Sequence, residues 1–191
     1  MIRRIAVFAI ASGLLAVQYQ GSVMAPVKVE VYSDYSCPHC RAFHEDAVRP
    51  LIEDYVSKNK VQLIHRDYLL GHFKYSHEAA VYANAAAKIN KFVAVSDALW
   101  AQQPSWTQNG NVDGCVASVL SPAEMEKLRK LVKDPQSLAA IEAGIKADME
   151  MAAKLPLTET PTVVITLPHE APVKVGGISY DLLKRFIAGT V

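Results

Sequence analysis

From residue 27 the chain alternates. Val27-Lys28-Val29-Glu30-Val31-Tyr32 places apolar side chains at every second position, the period of a half-buried strand. Ser33-Asp34-Tyr35-Ser36 is a turn-prone link. Beyond it the period becomes helical, with Phe43, Ala47, Leu51 and Tyr55 on one stripe of a helix that runs to about Lys58. Pro38 suits the first turn of that helix, where a missing N–H costs nothing, and this leaves Cys37 near the N-cap. Pro50 lies inside the stripe and is expected to kink it. Val61 to Asp67 reads as a second strand, closing a β-α-β unit whose crossover should be right-handed.

A different pattern begins near Gly71. From Ser76 to Gln103 the chain is rich in alanine, and Ala79, Ala85 or Ala86, Ile89, Val93 and Trp100 recur near helical spacing. The stretch from Gln103 to Gly114 has the composition of a loop. Ser121-Pro122-Ala123-Glu124 joins an N-cap, a proline at the first helical position and a glutamate placed for a capping box. Met125, Leu128 and Leu131 then form an apolar face. Asp134-Pro135 starts another helix, with Leu138, Ile141, Ile145 and Met149 inward.

The end of the chain returns to strands. Thr162 to Leu167 is rich in β-branched residues, Pro168 to Pro172 is a turn, and Val173 to Val175 is a short partner strand. A last helix starts near Ser179, buries Leu182, Leu183, Phe186 and Ile187, and stops at Gly189. The predicted order is β-α-β, a helical block, then β-β-α.

The first residues follow another logic. Arg3 and Arg4 precede an apolar or small stretch from Ile5 to Val17, and Gln18-Tyr19-Gln20-Gly21 is polar. That is the order of a secretory signal, and the apolar part is short for a membrane span. An exported protein meets an oxidising compartment, where a cysteine pair persists as a disulfide. With 20 basic and 19 acidic side chains in 191 residues, charge gives no case for binding nucleic acid or an anionic membrane. The 51 % hydrophobic content is that of a globular chain.

Three cysteines are too few to build a scaffold, but two of them form Cys37-Pro38-His39-Cys40. Two cysteines on the first turn of a helix are close enough to bond to each other. The first also faces free backbone N–H groups and the helix dipole, which stabilise a thiolate. The thiolate is the form that attacks a disulfide and the form that leaves one. Cys40, one turn inward, should be more shielded, and His39 can place a donor or positive charge near Cys37. A zinc site is the rival chemistry, with Cys37 and Cys40 joined by two of His39, His44, His65, His72 or His77. A purely structural disulfide is a further alternative. Cys115, alone in a helical block, reads as a small buried hydrophobe.

The segments APVKVEVYSDYSCPHC, HRDYLLGHFKYSHEAA, TETPTVVI and VGGISYDLLKRFI together resemble the DsbA family of the thioredoxin superfamily, from about Gly21 to the end. The resemblance implies an α/β thioredoxin-like fold interrupted by an inserted α-helical domain. It divides the chain into a signal segment at 1–21, thioredoxin core at 22–70, helical domain at 71–154 and the rest of the core at 155–191. It makes Cys37 and Cys40 the redox pair, with Pro38 and His39 as the active-site dipeptide and no cofactor or metal beyond the disulfide. It also implies that Thr160-Pro161 is a cis-proline loop facing that pair, where an extended substrate can dock.

The activity so implied is thiol:disulfide exchange, in the direction of an oxidase that introduces disulfides into exported proteins. The expected setting is periplasmic, with thiol-containing protein substrates, a membrane quinone-linked reoxidising partner and a monomeric state. A reductase or isomerase on the same scaffold is the alternative, and a Cys/His metal-binding module or a client-binding module without turnover lies outside that class. Two departures from the family bear on direction and mechanism. The acidic residue that many relatives carry six positions before the first cysteine is Val31 here, with Glu30 one residue off and on the other face of the strand. Threonine precedes the proline at 161, a choice also found in reductases and isomerases.

Overall fold

The computed structural model describes residues 18–190. The charged and apolar parts of the signal segment lie outside them. A five-stranded sheet runs in the order β1-β3-β2-β4-β5, with β1 Tyr19–Gln20, β2 Val27–Ser33, β3 Val61–Asp67, β4 Thr162–Thr166 and β5 Val173–Gly176. β2 and β3 are parallel, and the other neighbours are antiparallel. The predicted β-α-β and β-β-α pieces are thus halves of one sheet, joined at β2 and β4. Tyr19 and Gln20, from the polar end of the predicted signal segment, pair with Ile64 and Leu63 as an edge strand.

One sheet face carries Val27, Val29, Val31, Leu63, Val163 and Ile165, all buried. Against it pack a helical rod over 38–56 and α9 Tyr180–Ala188. The rod does not stop at Pro50. Its α-helical parts, α1 Pro38–Phe43 and α2 Arg49–Leu51, alternate with π-helical turns at His44–Val48 and Ile52–Val56. A proline removes one backbone donor, and the widened turns flanking Pro50 rearrange the bonding around that gap. In α9 the buried positions are Leu183 and Ile187, one turn apart, while Leu182 is exposed, contrary to expectation. A helix that short can aim only one stripe at the sheet.

The helical block comprises α3 Ser76–Lys88, α4 Phe92–Ala101, α5 Gln103–Asn109, α6 Val112–Ala117, α7 Pro122–Lys133 and α8 Pro135–Lys154. The alanine-rich stretch is two helices and not one. Asn90, at φ 58°, turns the chain between them, and Val93 is consequently exposed. The stretch expected to be a loop is also helical. Pro104 sits in the first turn of α5, Gly110 ends it at φ 75°, and Asn111 caps α6 by accepting from the Gly114 N–H at 2.9 Å. Trp106 drives this departure: it is buried and donates through Nε1 to the Leu99 carbonyl at 2.7 Å. A loop composition gave way to the burial of one large aromatic. The capping box at Ser121 and Glu124 is present as expected.

α8 leaves the helical block to cover the opposite face of the sheet. There Arg66 bonds Glu30 through Nη2 at 2.7 Å and Asp148 of α8 through Nη1 at 2.9 Å. Burial pushes the Glu30 carboxyl up, but the bonds from Arg66 and Lys28 outweigh it and hold it below its ordinary range.

Candidate active site

The site begins where β2 ends. Ser33 closes the strand, and Asp34, wholly buried, organises the turn that follows. Its side chain accepts from the Ser36 N–H at 2.8 Å, the Leu70 N–H at 2.9 Å and the Ser76 hydroxyl at 2.5 Å. Its own carbonyl accepts from the Cys37 N–H at 3.0 Å. One residue therefore ties the cysteine turn to the end of the β3 loop and to the start of α3.

The helical block holds the same turn from the other side. Gln103, 3 % exposed, donates through Nε2 to the carbonyls of Tyr35 at 2.6 Å and Cys37 at 2.9 Å. Tyr35 donates to the Ser96 hydroxyl at 3.0 Å and stacks on Trp100 at 4.4 Å between centroids. Sequence reasoning passed over Asp34, Tyr35 and Gln103. Asp34 and Tyr35 looked like ordinary turn residues, and nothing local marks Gln103 as a partner of a loop more than sixty residues away.

Cys37 is the N-cap of α1, in extended backbone conformation at φ −75° and ψ 119°, with Pro38 at the first helical position. Pro38 and His39 are exposed, whereas Cys37 and Cys40 are 4 % and 1 % exposed. Both cysteines are thiols here. The hydrogen bond from Cys40 does most to lower the Cys37 thiol. The Thr160 side chain and the N–H groups of Cys40 and His39 assist, and together they bring it from 9.0 to about 5 against the opposing effect of burial. For Cys40, burial first and the contact with Cys37 second push the thiol well above its ordinary range. The two sulfurs are thus driven apart, one poised as a thiolate and the other as a thiol.

The Thr160-Pro161 bond is cis, and Cys37 Sγ lies 3.8 Å from the Thr160 carbonyl, to which it donates. More than 120 residues separate these positions in sequence, and the pairing of β4 with β2 brings them together. Glu159, Thr160, Pro161 and Ile178 line one side of a surface groove, and His39 and Phe43 line the other. All six residues singled out from the sequence, Cys37, Pro38, His39, Cys40, Thr160 and Pro161, therefore gather at one place.

The histidines do not converge on the cysteines as ligands. His39 and His72 are exposed, and His77 pairs with Glu142 at 2.9 Å. His44 and His65 line a small cavity behind Cys40. Among the described residues no group of three or more His, Cys, Asp or Glu side chains is placed to hold a metal ion. Cys115 is buried within the helical block, with Sγ 3.4 Å from the Ala98 carbonyl, and burial raises its thiol from 9.0 to about 11. Also among the described residues, no helix is long and apolar enough to cross a membrane.

Comparison with known proteins agrees with this geometry. A thioredoxin family model matches residues 16–169. Disulfide bond formation protein D of Bacillus subtilis is 24 % identical over 74 % of this chain and 64 % of its own length. The chain spans about half the length of the first curated relatives it matches, rickettsial protein-disulfide oxidoreductases. Among solved structures, a thioredoxin-like oxidoreductase from Silicibacter pomeroyi superposes with a TM-score of 0.72 at 25 % identity, covering 91 % of each chain. The alpha-DsbA1 protein of Wolbachia pipientis does so with a TM-score of 0.72 at 19 % identity, covering 91 % of this chain and 90 % of its own. At that identity the likeness is one of fold, and it is the thioredoxin-like sheet with its inserted helices.

Proposed function

This chain belongs to the thioredoxin family, and from that premise we propose that it is a thiol:disulfide oxidoreductase working as an oxidase on exported proteins. The observation that carries the proposal is the geometry of the pair, with Cys37 capping the cysteine helix beside the cis Thr160-Pro161 bond and Cys40 buried one turn inward, a placement that lowers the first thiol and raises the second. A disulfide whose reduced form is stabilised as a thiolate is a strong oxidant, because opening it is favourable.

A substrate thiolate entering the groove beside Thr160 and Pro161 attacks Cys37 Sγ of the disulfide form. The S–S bond breaks, and Cys40 leaves with the electron pair. A second substrate thiolate then attacks the substrate sulfur of the mixed disulfide, and Cys37 leaves as a stable thiolate. The substrate loses two electrons and the Cys37–Cys40 pair gains them. An extended substrate segment fits the groove in the manner of an added strand. Export by the N-terminal segment, a periplasmic setting, a monomeric state and reoxidation by a membrane quinone-linked partner complete the proposal.

The reductase or isomerase alternative uses the same parts, and Thr160 before the cis proline is the feature that favours it. Equilibrating the protein with glutathione buffers separates the two. The oxidase reading expects a disulfide that opens under mildly reducing conditions, together with formation of disulfides in a reduced, unfolded substrate. A disulfide that opens only under strongly reducing conditions overturns it. Cys37→Ser is expected to lower exchange at least about a thousandfold, the scale of losing a nucleophile.

A further inference from the structure

Cys40 must gain a proton each time it leaves a disulfide and lose one each time it attacks. Val31, on the strand that leads into the cysteine helix, is a buried apolar residue that can move no proton. Glu30, the neighbouring acid, is on the opposite sheet face and bonded to Arg66. The register supplies a different group. Val31 pairs with His65 on β3, so the two side chains lie side by side on the face that packs against the cysteine helix.

We propose that His65 is the proton acceptor and donor for Cys40, acting across the small cavity that both residues line. The assignment rests on the exchange activity proposed above. The cavity, about 20 Å³, is large enough for about one water molecule, and its lining mixes Cys40, His44, His65, Ser33, Ser96 and Gln18 with apolar and aromatic side chains. The His65 Nε2 atom is buried and has no hydrogen-bond partner among the described residues. Its nearest acid, Asp67 Oδ1, is 3.7 Å away, beyond hydrogen-bond distance but within reach of an ion pair when the ring is charged. An unpartnered ring nitrogen in so closed a place calls for a function, and imidazole is the side chain whose ordinary titration range spans neutral pH.

The ring is held in place by stacking on Tyr35 at 4.9 Å between centroids, with Phe92 and Trp100 beyond. The titratable and charged groups around it come from each packed element. Asp67 is on its own strand, Cys40 and His44 are on the cysteine rod, and Asp97 on α4 is engaged by His44 at 3.2 Å. β2 offers only Val31 and Ser33, and the stretch before β1 offers Gln18. His44 Nε2 is hydrogen-bonded to Asp97, whereas His65 Nε2 makes no hydrogen bond among the described residues, so His65 is the ring placed to exchange a proton. When substrate thiolate opens the disulfide, the Cys40 thiolate takes a proton from the His65 imidazolium. When Cys40 attacks a mixed disulfide at Cys37, its proton passes to neutral His65, the new S–S bond forms, and the substrate sulfur departs with the electron pair.

The test follows closure of the Cys37–Cys40 disulfide after reaction with glutathione disulfide, between pH 5 and 9, in the full chain and in His65→Gln. At pH 7 the variant is expected to close about tenfold slower, at the low end of what a positioned proton-transfer group contributes, with a pH profile of different shape. Val31→Asp added to His65→Gln is expected to recover the rate with an altered pH profile. A His65→Gln profile of unchanged shape, at equal or uniformly lower rate, overturns the proposal. A parent protein that closes no disulfide at all counts against the exchange activity itself and not against His65.

Discussion

The sheet and the helical block carry their cores differently, and the cysteine helix is divided between them. In the sheet the buried residues are mostly valine, leucine and isoleucine, laid down by the strand period and by one stripe of each covering helix. In the block alanines of α3 and α4 let those helices pack closely, and larger side chains such as Leu99, Trp100 and Trp106 fill the rest. Phe43 and Ala47 of the cysteine rod belong to the first cluster, but Tyr35, Cys37 and Cys40 belong to the second. The two cysteines therefore stand at the start of the helix that follows β2 and are packed by the helical block. The insert is part of the active site's wall and not an appendage. Exchange chemistry needs one sulfur tuned and one shielded, and a seam between two cores supplies both.

Asp34 offers the strongest way to break that seam. Asp34→Ala removes three side-chain bonds that join the turn to the β3 loop and to α3, and it leaves buried donors unpaired. A loss of about 3 kcal/mol in unfolding free energy is expected, with Cys37 reactivity shifted toward that of an ordinary thiol. Denaturant unfolding and an alkylation profile against pH check both. A variant with an unaltered alkylation profile would mean that the turn is held by the sheet alone. Gln103→Ala probes the seam from the block side only. Two buried carbonyls lose their donor, so about 2 kcal/mol is expected, with the sheet core undisturbed.

Much of this arrangement is legible along the chain, and what is not has a physical pattern. Alternation from Val27 and the stripe of Phe43, Ala47 and Leu51 announce the sheet half, because burial on one face imposes a period. Cys37 and Cys40 announce themselves by spacing. Thr160-Pro161 needed the family resemblance, since a proline entering a strand is ordinary by itself. The helical block is where reading failed, at the break around Asn90 and at α5 and α6. Alanine-rich helices have weak stripes, and Trp106 decides a segment whose composition is that of a loop. Gln103, Asp34 and His65 bear on the site through contacts across dozens of residues, which no local pattern encodes.

The pH dependence sharpens the same comparison. In the reduced protein Cys37 is lowered from 9.0 to about 5, so its thiolate contributes stability that is complete above about pH 9 and is lost as pH falls through about 5. Cys40, raised by burial, stays protonated through that window and opposes stability only at higher pH. The disulfide form has neither thiol. Thermal midpoints of the reduced form should therefore rise relative to the oxidised form from pH 5 toward 9. A constant difference would show that the folded protein does not favour the Cys37 thiolate.

The smallest expected effect falls on the third cysteine. Cys115 shares residue type and burial with Cys37, and both are packed in the helical cluster. Each sulfur approaches a backbone carbonyl, Thr160 for Cys37 and Ala98 for Cys115, but only Cys37 also meets backbone N–H groups and a neighbouring thiol. Burial pushes Cys115 to about 11, away from reactivity. Cys115→Ala should cost about 1 kcal/mol, the scale of a lost small buried group, and leave disulfide exchange unchanged. In the native protein Cys115 should resist an alkylating agent at pH 7 until the chain is unfolded. If it reacts as fast as Cys37, then position at the helix N-terminus is not what separates a redox cysteine from a structural one here.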